Sequence, residues 1–320
     1  MAGVDYTVNG LLSSIKRRGM IPASSFTFTD DQLTAFLNDE LLSRLVPAIK
    51  SVREEFFVNV NDVALVSGQQ AYDLPSRAIG VQLRDLSLVD SAGKESYLAR
   101  IDPSFMKEAG VVQLPYNVMG YYWQGNKVML YPIPSSTVYS LRQRYERRPS
   151  DLVATTQCAK IASINTGTKT VTTVDPAVDT TVGNPSTLWT TANVLDLVQG
   201  VPPFNAWADS QAVTTVASNS ITFTNALPTG LAVGDWVSLA GQSPVAQIPY
   251  EGFMTLAELG LARVMEAMDD VSPSGAPMAR QQAETMLQEF LKLISPRTAG
   301  TPQKVVDRQG IFQTNNNWWR

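Results

Sequence analysis

The chain has 320 residues, 44% apolar and only 17% charged, with a net charge of −4. That is enough apolar surface for one or two packed cores, without the overall basic charge that marks nucleic-acid binding. It has no histidine and one cysteine, Cys158, which excludes Ser-His-Asp and Cys-His nucleophile pairs, histidine or thiolate metal sites and an intrachain disulfide framework.

Carboxylate, Lys, Tyr or Ser-Lys chemistry survives that exclusion. A lone cysteine fits a reducing compartment. No apolar run follows the first basic residues as a secretory signal requires, and no stretch approaches the ~20 apolar residues of a membrane span.

Residues 7–19 predict a short helix with Leu11, Leu12 and Ile15 apolar and Lys16, Arg17 and Arg18 at its negative pole. A second helix starts at Thr29, where Thr29 and Gln32 fit a capping box. Leu33, Leu37, Leu41, Leu45 and Ile49 then repeat every four residues. Pro47 lies inside this stripe and should kink or split the helix.

From residue 60 the apolar period falls to two. Strands are expected at Val63–Val66 and Ala71–Leu74. Leu83–Val89 and Tyr97–Ile101 flank the turn Asp90-Ser91-Ala92-Gly93, a hairpin signal. A second hairpin joins Tyr121–Trp123 to Val128–Tyr131 through Gly125-Asn126. Residues 139–146 alternate Tyr139, Leu141, Gln143 and Tyr145 with Ser140, Arg142, Arg144 and Glu146, the pattern of a half-buried strand with a charged outer face.

Composition shifts near residue 151. Up to Ile248 charges are sparse and Thr, Ser, Val and Asn dominate. Short β-favouring runs at 161–164, 170–174, 213–216, 221–224 and 236–239 predict a small all-β insertion, sandwich or barrel. The helical period returns at Pro249. Phe253–Met268 and a helix from near Pro277 to Ile294, joined by a turn at Ser272–Gly275, form an antiparallel pair. Gly260, Ala257 and Ala283 would allow close approach.

The expected fold is therefore α+β. A discontinuous helical-bundle and β core (residues 1–150 and 249–297) carries an inserted all-β domain (151–248) and an extended C-terminal arm (298–320). The arm has neither period and closes on Asn315-Asn316-Asn317-Trp318-Trp319-Arg320. Adjacent indoles favour burial, and Trp and Arg are enriched among residues that anchor interfaces. Either the arm docks on another chain or its Trp pair folds back on its own domain.

No cofactor or metal site is expected. The neighbouring carboxylates Asp30-Asp31, Asp39-Glu40, Glu54-Glu55 and Asp269-Asp270 do not converge as a glycosidase pair must, because neighbours on a helix point apart. Asp90-Ser91-Ala92-Gly93 and Asp179-Thr180-Thr181 only loosely match the turn of aspartic proteases. Gly-rich phosphate loops are absent. Arg142, Arg144, Arg147 and Arg148 form the strongest basic cluster. They are candidates for a subunit or DNA contact, against a solvated strand face.

Several stretches carry a resemblance. They are Asp31-Gln32-Leu33 through Leu45-Val46-Pro47, Ser51-Val52-Arg53-Glu54-Glu55, Gln70-Ala71-Tyr72-Asp73-Leu74-Pro75 with Arg77-Ala78-Ile79-Gly80, Leu83-Arg84-Asp85-Leu86, Gly234-Asp235-Trp236-Val237-Ser238-Leu239 and Ile294-Ser295-Pro296-Arg297. In these, and in segment order, the chain resembles the head-to-tail adaptor (connector or neck) proteins of tailed bacteriophages. The resemblance implies a non-enzymatic virion protein, made in the host bacterial cytoplasm and placed at the neck. Its copies, twelve like the portal, would form a ring around the exit channel for genomic DNA, with the portal above and a downstream tail or nozzle protein below. No membrane is involved. Arg297, Lys304, Arg308, Phe312, Trp318, Trp319 and Arg320 would then dock the arm on the portal. Rival readings are a tubular or glycan-binding tail component and a carboxylate-dependent cell-wall hydrolase.

Overall fold

Leu33, Leu37, Leu41, Leu45 and Ile49 are all fully buried, and a change of helix type makes that possible. An α-helix turns about 100° per residue, so a strict four-residue repeat drifts around it by about 40° per step. In the computed structural model, which describes residues 5–22, 28–103, 120–268 and 275–295, helices α1 (Val8–Arg18) and α2 (Asp30–Glu40) are followed by a π-helical turn, Leu41–Leu45, that runs straight into α3 (Val46–Val52). The wider turn swings the stripe back toward the core. Its closing bond runs from the Val46 N–H to the Leu41 carbonyl, five residues back. It also accommodates Pro47, whose ring in a regular helix would meet the carbonyl four residues earlier. The helix is therefore bulged, not split. The capping box forms as read: the Gln32 N–H donates to Thr29 Oγ1 at 3.3 Å and the Thr29 N–H to Gln32 Oε1 at 3.1 Å.

Eight strands follow: β1 (Val58–Ala64), β2 (Ala71–Asp73), β3 (Ala78–Val89), β4 (Glu95–Tyr97), β5 (Ala99–Arg100), β6 (Gly120–Gln124), β7 (Lys127–Tyr131) and β8 (Ser140–Arg147). They form two four-stranded sheets, ordered β1-β8-β3-β4 and β2-β7-β6-β5. Tyr72, Leu86, Leu88, Val128, Leu130 and Leu141 fill the space between them. The strand expected over Tyr97–Ile101 is broken. The Leu98 N–H bonds the Leu86 carbonyl in one sheet, and the Ile101 N–H bonds Tyr121 in the other. The chain changes sheets there, so one apolar run serves two ladders.

The Thr-rich segment closes into a barrel. After β9 (Asp151–Leu152) come β10 (Ala159–Asn165), β11 (Thr170–Thr173), the one-turn α4 (Pro185–Leu188), β12 (Val194–Val198), β13 (Ala206–Ala217), β14 (Ser220–Phe223), β15 (Trp236–Leu239) and β16 (Gln242–Ser243). The barrel order is β10-β11-β14-β13-β12-β15, antiparallel throughout. Ile161, Val171, Leu195, Leu197, Ile221, Phe223 and Val237 fill its interior. Closure leaves no free edge strand.

β9 and β16 pair in parallel, so the chain enters and leaves the barrel side by side. Asn38 of α2 extends this ladder: the Leu152 N–H donates to its Oδ1 at 2.7 Å, and its Nδ2 donates to the Leu152 carbonyl at 3.0 Å. The Val8 N–H reaches the Pro244 carbonyl at 2.8 Å. Two helices thus hold both strands of the neck.

α5 (Phe253–Ala267) and α6 (Gly275–Ile294) complete the helical layer. Their buried face joins α1, α2, α3, Leu152 and Ile248 in one core. Gly260 corrects one expectation, because it faces α1 and α2 and not the partner helix of its own pair. A Cβ there would lie 2.8 Å from Leu37 Cδ2 and 3.0 Å from Ile15 Cδ1.

Candidate assembly surfaces

Ion pairs stitch the helical layer together. Lys16 pairs with Asp30 and Arg18 with Glu258, joining α1 to α2 and α5. Arg280 of α6 donates to Glu266 of α5 at 2.6 and 2.7 Å and to Glu40 of α2 at 3.1 and 3.2 Å. Arg44 pairs with Glu284. Arg280 holds Glu266 below the ordinary carboxylate range, and the same bonds raise Arg280 itself. Glu40 and its neighbour Asp39 point apart, as their helical positions require. The Glu40 side chain takes part in this ion-pair network. It is buried and doubly paired, whereas Asp39 and the Asp30-Asp31 pair at the α2 N-terminus are exposed. Asp269 and Asp270 lie outside the described residues.

The arginines of β8 point to alternate faces. Arg142 forms a bidentate pair with Asp62 of β1, both bonds at 2.8 Å. Arg144 donates to Asp85 of β3 at 3.0 Å and to Glu95 of β4 at 2.8 Å, and its guanidinium lies 5.7 Å from the Tyr97 ring centre. Bonds from Arg144, then from Ser87, keep Glu95 below its usual range. The outer face of this sheet is thus a ladder of compensated charge. Arg147 points the other way and is buried. It clamps Asp209 of β13 at 2.7 and 2.6 Å and donates to Gln247 Oε1 at 2.7 Å. Arg148 is exposed.

Arg147 belongs to a polar cluster that the sequence reading missed. Arg77 Nη1 donates to the fully buried Asp196 of β12 at 2.7 Å. Its Nη2 donates to the Arg148 carbonyl at 2.8 Å and to Ser150 Oγ at 2.9 Å. Asp196 also accepts the Ser210 and Gly241 N–H groups at 2.7 and 2.9 Å. Burial raises Asp196 above the usual carboxylate range and lowers Arg77. Two arginines and two aspartates thereby lock the sandwich to the barrel. The one available signal was Asp196 itself, a charge in the middle of Val194-Leu195-Asp196-Leu197-Val198. No strand is named over 194–198 in the sequence reading, and the charge in its middle interrupts the apolar run there.

A groove of ≈ 760 Å³ opens beside the π turn and α3, reaching across to β8. Leu42, Val46, Pro47 and Ile79 give it an apolar wall, and Glu54, Arg148 and the Lys50–Glu146 ion pair lie around it.

The two turns that loosely match an aspartic protease do not bring their carboxylates together as a catalytic pair. The Asp90 carboxylate accepts the Ala92 and Lys94 N–H groups, and that of Asp179 accepts from Thr181, so each is used within its own turn. Burial drives the Cys158 thiol far above its ordinary value. Among the described residues no group of three metal-type ligands occurs, and no helix is long and apolar enough to cross a membrane. The arm residues Arg297, Lys304, Arg308, Phe312, Trp318, Trp319 and Arg320 lie outside the described residues.

Residues 6–174, just over half of the chain, match a family model of phage head-to-tail adaptors, a structural and non-enzymatic class of virion protein. The family is that of the SU10 adaptor protein, and the chain belongs to it. The match runs from α1 through the sandwich to the second barrel strand. No curated protein matches the chain.

Proposed function

We propose that copies of this chain, twelve in number, form a ring at the virion neck that joins the portal to the tail and surrounds the path of genomic DNA. The observation that carries this reading is the adaptor-family match over residues 6–174. On this reading residues 1–150 and 249–297 make the ring body. The insertion, 151–248, meets the downstream tail or nozzle protein. The arm, 298–320, meets the portal through Arg297, Lys304, Arg308, Phe312, Trp318, Trp319 and Arg320.

The parallel β9–β16 neck supports treating the barrel as an insertion, since both crossings share one small ladder. A barrel without edge strands suits a module that must present a surface without pairing at random. Of the four β8-region arginines, Arg142, Arg144 and Arg147 are committed within the subunit. Arg148 is the one left for a neighbouring subunit or a phosphate.

Negative-stain imaging of the protein mixed with its portal tests the ring. Stacked annular particles are expected, and a monomer that never joins the portal refutes it. Truncation after residue 298 should abolish portal binding and leave the thermal transition in place. Unchanged portal binding would overturn the arm assignment.

A further inference from the structure

We propose that in the unassembled subunit the Trp318-Trp319-Arg320 end of the arm lies in the groove beside Pro47 of its own chain. This stands apart from the portal reading, since the arm can occupy the groove whatever it meets later.

The geometry delivers the arm to the groove. Arg280 meets Glu40 and Glu284 meets Arg44. α6 therefore runs in the same direction as α2 and the π turn and packs on α3, so its C-terminal end at Ile294 lies toward the C-terminal end of α3 at Val52. Ser51 and Glu54, at that same end, line the groove. Trp318 is only 23 positions along the chain from Ser295. A coil of that length would have a root-mean-square span of roughly 24–29 Å. Tethering at this range gives an effective concentration of about millimolar, far above that of free subunits, and so favours the arm's own groove over a neighbour's.

The chemistry fits as well. At ≈ 760 Å³ the groove, open on one side, has the volume of a ligand pocket. Its wall of Leu42, Val46, Pro47 and Ile79 supplies apolar cover for adjacent indoles. Arg148 and Glu54 are exposed at its rim, and neither makes a side-chain ion pair among the described residues. A guanidinium there can stack on an indole, and a carboxylate can take Arg320.

Disulfide trapping tests this in the full-length protein. Cys158 is fully buried and will not interfere. Ser51→Cys places a thiol in the groove and Asn317→Cys one beside the indoles. Gln282→Cys with Asn317→Cys is the control, because Gln282 is exposed in a different pocket, beside Arg18 and Met286. The 51–317 pair should close at least about tenfold faster than the 282–317 pair, as a monomer and at a rate independent of protein concentration. Trp318→Ala with Trp319→Ala in the same background should bring the rate down to the control's. Equal rates for the two pairs, a cross-linked dimer whose yield rises with concentration, or a rate indifferent to loss of the indoles would each overturn the proposal. Portal binding plays no part in these readouts, so failure here leaves the adaptor reading untouched.

Discussion

Replacing Arg77 with alanine should be the most damaging single change at the junction of sandwich and barrel. Arg77 donates to Asp196, to the Arg148 carbonyl and to Ser150 Oγ. Asp196 would remain fully buried, with the Ser210 and Gly241 N–H groups as its remaining hydrogen-bond donors among the described residues. Removing one partner of a buried ion pair costs about 3–5 kcal/mol, because the surviving charge is uncompensated. At roughly 2 °C per kcal/mol for a chain of this size, the melting temperature should fall by about 6–10 °C. The loss should depend on pH. Burial already raises Asp196 above its ordinary value of 3.8, and removing the arginine raises it further. An acid with a raised folded-state value binds its proton more tightly when folded. Its contribution is full below the unfolded value and is lost as pH rises through the folded one. R77A should therefore lie nearer to wild type at pH 4 than at pH 8, the deficit that remains at pH 4 coming from the lost bonds to the Arg148 carbonyl and Ser150 Oγ. The double variant R77A/D196A should lose about 2 kcal/mol less than the sum of the singles. Scanning calorimetry from pH 4 to 8 measures all of this. A deficit that is the same at every pH, together with additive singles, would show that the pair does not act as a buried charge pair.

Three further expectations follow from the helical layer. Asn38→Ala removes both bonds to Leu152 and strands a part-buried N–H and carbonyl, at about 1–3 kcal/mol; amide exchange at Leu152 should accelerate, and unchanged protection would refute Asn38 as a strand substitute. Gly260→Ala puts a methyl 2.8 Å from Leu37 Cδ2 and should cost about 1–3 kcal/mol by overpacking, so a variant as stable as wild type in a urea melt would contradict the close approach. Glu266 has its folded-state value lowered by Arg280; such a group adds stability above its ordinary value of 4.5 and loses it as pH falls through the lower folded one. The melting-temperature gap between wild type and Glu266→Gln should accordingly hold from pH 7 to about 5 and narrow as pH falls below 4.5, and a gap that does not narrow on acidification would sink the assignment.

Segments governed by their own neighbours were readable from the sequence. The Thr29 cap, the Asp90 turn, the Gly125-Asn126 hairpin and the alternation of β8 all rest on bonds or periods within a few residues. Three features were not readable, for a common reason. The break between β4 and β5 depends on which distant strand each N–H finds. β12 has Asp196 in its middle, a charge that interrupts the apolar run until Arg77, more than a hundred positions away, neutralises it. The true neighbours of Gly260 come from α1 and α2, not from its own helical pair. Each depends on a contact between parts of the chain that no local period encodes.

The arginines of β8 show how the same limit bears on function. A row of Arg142, Arg144, Arg147 and Arg148 reads as cationic because a sequence lists each strand without its partners. In the fold, Asp62, Asp85 and Glu95 arrive from three other strands on one face, and Asp209 arrives from the barrel on the other. Their carboxylates cancel the charge where a phosphate backbone would have sought it. Pairing inside the subunit has a second consequence. A bidentate guanidinium–carboxylate pair fixes both side chains, so the outer face of the sheet is patterned and rigid before any partner arrives. A surface of that kind favours a neighbour with matching polar groups over a flexible polyanion, because recognition there rewards register more than net charge. Arg148, left outside the ladder at the rim of the apolar groove, is where that neutrality ends.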